Sequence, residues 1–71
     1  MDLSEKARQL AEIDGHIAAA ALHIARQREL IADLESAAAD TTEAKALLAS
    51  FELTLRLHIE RRDGLQSELP D

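Results

Sequence analysis

Leu3, Leu10, Ile17, Ile24 and Ile31 fall at strict seven-residue intervals, and Ile13, Ala20 and Leu34 fill the positions between them. Seven residues are about two turns of an α-helix, so these side chains make one apolar seam, the kind that packs helix against helix. Lys6 near the start and Gln27 in the middle are its polar exceptions. The second half of the chain repeats the logic. Leu48, Phe51, Leu55, His58, Arg62, Leu65 and Leu69 recur at three- and four-residue steps. Ala44 and Leu47 extend that stripe toward its start, while His58 and Arg62 interrupt it.

Little in the chain opposes helix formation. It has no valine, tryptophan or tyrosine, one phenylalanine, two glycines and one proline, so residues suited to a pleated sheet are scarce. Alanine, leucine, glutamate and arginine dominate, and these lose little rotamer freedom on a helix. The one break lies at Ala37-Ala38-Ala39, which carries no large apolar anchor and is followed by Asp40-Thr41-Thr42-Glu43. In the D-x-x-E form of a capping box, Asp40 accepts from the free amides of the next turn and Glu43 reaches back to the Asp40 amide. The spacing predicts helix 1 over about 3–37, a turn over about 38–40 and helix 2 over about 41–68. So short a connection sends the second helix back beside the first. The expected fold class is all-α: one domain over 1–71, an antiparallel helical hairpin.

Two helices leave too much apolar surface unburied. Leu30 lies off the seam of helix 1, Leu53 and Leu57 point away from the Phe51 stripe, and Ile59 flanks it. Burying one such side chain contributes about 1.5–3 kcal/mol, a large share of a small domain's stability. The expectation is a homodimer, two hairpins forming a four-helix bundle, with Leu30, Leu53, Leu57 and Ile59 as candidates for the interface. Gly15 and the run Ala18 to Ala21 make a thin-walled segment in helix 1, where close packing or a slight bend would offset the glycine.

Composition narrows the function classes. With no cysteine there are no disulfides, thiolate metal sites or cysteine nucleophiles. Fourteen acidic against eight basic side chains give a net charge of −6, a poor match for a polyanion or an acidic membrane surface. No apolar run approaches the roughly 18–20 residues of a bilayer span, and the opening Met-Asp-Leu-Ser-Glu-Lys lacks the pattern of a secretory signal. A cytoplasmic protein without membrane contact is expected. Ser4, Ser36, Ser50 and Ser67 lie in no nucleophile motif and there is no glycine-rich phosphate loop, so neither enzymatic activity nor a cofactor is expected.

The remaining chemistry is polar. His16 and His23 share one flank of helix 1, and folding the hairpin at its turn sets His58 opposite Ala20, between them. His16, His23 and His58 are therefore weak metal-ligand candidates, without the Glu-x-x-His or i, i+4 spacing of known sites. A polar layer that sets helix register is the stronger reading of His58 and Arg62, with Gln27, Asp14 or Glu12 as partners. Arg26, Arg28, Arg56 and Arg61 offer an alternative, a small regulator binding structured RNA, as a copy-control bundle does. The interleaved acids Glu29, Asp33, Glu52, Glu60 and Asp63 argue instead for ion pairs on a solvated face, and nucleic-acid binding is not the leading expectation.

The run His23-Ile24-Ala25-Arg26-Gln27-Arg28-Glu29-Leu30-Ile31, then Leu34-Glu35, Asp40-Thr41-Thr42-Glu43-Ala44, Leu47-Leu48, Phe51-Glu52, Leu55, His58 and Arg62-Asp63-Gly64-Leu65 resembles a recurring pattern. It is that of a family of short bacterial helical proteins, met mainly in rhizobia and related alphaproteobacteria, with no known activity. Members of that family tend to carry glycine in the turn, where this chain has Ala38-Ala39, and an acid where it has Ala21-Leu22. The resemblance implies a stand-alone bacterial helical protein in which the H-I-x-R-Q-R segment and His58 act together; His23, Arg26, Gln27, His58 and Arg62 are the candidates for a polar cluster that sets register or contacts a partner. The function expected is that of a non-enzymatic interaction protein, a homodimer that contacts a further protein.

Overall fold

The computed structural model describes residues 3–68; the side chain of Leu3 and the whole of Leu69, both expected in the seams, lie outside the described residues. Two helices, α1 (Leu3–Ser36) and α2 (Thr42–Ser67), make up the described residues, each bound within one residue of the expected one. They run antiparallel side by side. Lys6 meets Glu68 at 2.8 Å at the open end, and Arg28 meets Glu52 at 3.2 Å nearer the turn. The result is a rod of 53 × 16 × 14 Å. Among the described residues no helix is long and apolar enough to cross a membrane.

The turn is built by backbone chemistry. Ala38 takes a left-handed conformation, φ 56°. The Ala39 amide then donates to the Leu34 carbonyl at 2.9 Å and the Ala38 amide to Glu35 at 3.1 Å, the paired bonds of a Schellman closure. An L-residue there costs about 1–2 kcal/mol that glycine would not. The capping box does not close as expected. Thr41, not Asp40, stands at the N-cap and makes no side-chain capping bond. Its carbonyl accepts the first helical bond, from Lys45 at 2.9 Å. That offset of one residue puts Glu43 at the second helical position rather than the third, where the return bond is made. Asp40 Oδ1 instead accepts from both the Thr42 amide, 2.9 Å, and the Thr42 hydroxyl, 2.7 Å. These two bonds hold its carboxyl below the ordinary carboxylate range.

The core is thin. Ile13, Ala20, Ile24 and Ile31 of α1 are buried with Gln27, and α2 has no fully buried residue. Leu48, Phe51, Leu55, His58, Arg62 and Leu65 face α1 half-buried. Leu47 departs from the expected stripe: it is 46% exposed. Leu48 fills the seam position at that level, and its neighbour, a hundred degrees around the helix, is left outside. Gly15 also departs from expectation. A Cβ there would meet nothing within 4 Å, so no close helix approach offsets the glycine within the hairpin.

Candidate functional site

The two flanks of the hairpin, where the sides of α1 and α2 meet along the rod, differ in chemistry. One is laced by ion pairs. Arg28 reaches Glu52, Lys45 reaches Glu35 at 3.8 Å, and Arg62 reaches Asp14 at 3.9 Å. The first two pairs join residues that are more than 45% exposed, so each contributes at most about 1 kcal/mol and less in salt.

The other flank holds a groove of about 450 Å³ lined by His16, Ala19, Ala20, His23, Phe51, Thr54 and His58. Alanine at 19 and 20 leaves the room, and Phe51 forms one wall. His23 stacks on Phe51 with ring centroids 5.7 Å apart and planes 29° apart. His16 and His58 face each other at 5.3 Å, tilted by 50°. His58 therefore pairs with His16 rather than lying midway between His16 and His23. Among the described residues no group of three or more His, Cys, Asp or Glu side chains is placed to hold a metal ion.

The groove does not end at its lining. Leu30 follows His23 by seven residues and Leu47 precedes Thr54 by seven, so both continue its two edges toward the turn. Leu57, one turn beyond Thr54, borders it on α2. All three leucines are 46–55% exposed. Leu53 and Leu22, similarly exposed, lie farther around the backs of α2 and α1. Leu22 and Leu47 were not among the surface candidates of the sequence pattern, and their signal was available: Leu47 shares the seven-residue line of Thr54. Ile59, seven residues after Glu52, is half-buried on the ion-paired side.

The expected polar cluster is distributed along the rod. Gln27, 8% exposed, donates from Nε2 to the Ala44 carbonyl at 2.9 Å near the turn. His23 and His58 line the groove at mid-length. Arg62 lies toward the open end between Asp14 and Asp63, with its Nε buried and without a hydrogen-bond partner. Arg26 is exposed, as are Arg28, Arg56 and Arg61. Glu12 stays in solvent and Asp14 is the acid that Arg62 meets.

Comparison with protein-family models, curated proteins and solved structures finds no match to this chain.

Proposed function

We propose that this chain is a non-enzymatic interaction module whose working form in the cytoplasm is a homodimer, two hairpins packed as a four-helix bundle. One observation carries the reading: among the described residues more large apolar side chains lie exposed than lie fully buried. Among the described residues five leucines are 46–55% exposed, whereas the buried apolar core is Ile13, Ala20, Ile24 and Ile31. A hairpin of this size buries too little to stand far above the entropy of ordering its own chain. Covering those leucines with a second copy adds about 1.5–3 kcal/mol for each side chain fully buried. The bundle then offers its charged outer faces to another protein. Sedimentation equilibrium at micromolar concentration tests the reading. It predicts twice the 7.8 kDa chain mass, with helicity lost on dilution; a folded species at the single-chain mass overturns it.

A further inference from the structure

Resting on that reading, we propose that the second copy docks on the groove flank, with α1 of each copy crossing α1 of the other antiparallel about a two-fold axis at Ala19. Three independent features point there.

The first is charge. Two copies of a chain with net charge −6 repel through most of their surface. The groove itself is lined by no carboxylate, and Glu5, Glu12 and Asp33, on the seven-residue line of Ala19, lie beyond its ends. Asp14 and Glu52 belong to the ion-paired flank, while Glu29 and Glu60 share the seven-residue lines of Leu22 and Leu53 on the helix backs. The groove lining is alanine, phenylalanine, threonine and histidine. At the groove two acidic chains meet without setting acid against acid.

The second feature is symmetry. In a two-fold interface residue i meets j while j meets i, so a self-docking helix must complement its own reversed sequence. Glu12 lies seven residues before Ala19 and Arg26 seven residues after it, on one line of α1. Reversing the helix about Ala19 exchanges them, setting Glu12 against Arg26 of the partner subunit on both sides of the axis, while the acids of the same line, Glu5 and Asp33, lie about 21 Å from it, where crossing helices have diverged. His16 and His23 straddle the same centre.

The third is size and fit. A rod 53 Å long and 16 Å wide has room on one face for the roughly 800 Å² of accessible surface that each partner gives to a standard interface. Ala19 at the centre lets the helices approach closely, and the flanking Leu30, Leu47 and Leu57 are the side chains left for the partner to cover.

Matched glutamates test the face. Ala19→Glu lies in the groove and Ala25→Glu on the other side of the same helix; both positions are exposed, so both variants fold. Leu57→Glu repeats the test from α2. Dissociation constants come from sedimentation, with circular dichroism reporting the fold. Ala19→Glu and Leu57→Glu are expected to weaken the dimer at least about a hundredfold, because each buries an unpaired charge, and Ala25→Glu to change it less than about threefold. A dimer that survives Ala19→Glu and Leu57→Glu but fails with Ala25→Glu, or that tolerates all three, overturns the face and leaves the homodimer standing. A wild-type monomer overturns both and frees the face for a partner of another kind. Exchanging Glu12→Arg with Arg26→Glu tests the axis: each alone weakens the dimer a few-fold and the pair restores it, whereas additive losses refute the placement at Ala19.

Discussion

The two flanks of this hairpin are made by the same two helices and differ in what they leave for others. On one, Arg28, Glu35, Lys45 and Glu52 satisfy each other across the gap, and their charges keep water. On the other, His16, His23, Phe51 and His58 meet around a groove whose edges run on into exposed leucines. The contrast shows how a short heptad pattern separates cohesion from recognition. The seam positions close the hairpin in either case, while the residues beside the seam decide whether a flank is finished by itself or waits for a partner.

That contrast makes graded predictions. Leu30→Ala on the groove flank should lower dimer stability by about 1–3 kcal/mol, since the half of the side chain left exposed in the hairpin is covered in the dimer. Denaturation at several protein concentrations reads this; a loss independent of concentration would mean that Leu30 supports the single hairpin instead. Ala38→Gly should act on both flanks alike, raising the melting temperature through about 1 kcal/mol of relieved backbone strain. Gly15→Ala should raise it by a similar ~1 kcal/mol, because the added methyl enters open space. An unchanged or lower melting temperature would place a neighbouring helix against Gly15, which lies one turn before Ala19. Across the ion-paired flank, a double-mutant cycle on Arg28 and Glu52 should give a coupling of about 0.2–1 kcal/mol that fades with added salt. A coupling as large as the Leu30 effect would erase the distinction between the flanks.

The smallest effect is at the turn. Asp40 is depressed by its bonds to the Thr42 hydroxyl and amide. A carboxyl with a lowered folded-state value contributes stability that is present above its unfolded value, near pH 4, and is lost as pH falls through the folded one. Melting temperatures between pH 6 and pH 2 should therefore fall less for Asp40→Asn than for the parent chain. Equal slopes would show that the Thr42 bonds do not favour the ionised form.

Much of the fold is legible because one periodicity runs unbroken. The sevens from Leu10 to Ile31 need only helical geometry, and the burial of Ile13, Ala20, Ile24 and Ile31 follows from it. The break at Ala37–Ala39 is legible too, since nothing there anchors a helix. What escaped depends on one residue of offset or on reach. Leu47 and Leu48 are adjacent, both compatible with a three- or four-residue step, and only the packed hairpin separates the inner from the outer. The Asp40 cap is displaced because Ala38 turns left-handed and shifts where α2 begins. His58 finds His16 rather than the midpoint because ring contacts depend on side-chain direction as well as on helix level. The residues of the expected polar cluster share a face but not a height: Gln27 serves Ala44 near the turn while Arg62 serves Asp14 near the open end.

The most direct test uses the absence of cysteine from the chain. Ala19→Cys and Ala25→Cys each introduce a single thiol, and a disulfide forms only where two copies bring their Cα atoms within about 7 Å. Under mild oxidation Ala19→Cys should convert almost wholly to a covalent dimer that keeps its helical signal, while Ala25→Cys stays as single chains. Cross-linking of Ala25→Cys in preference to Ala19→Cys, or of neither, would contradict docking through the groove flank.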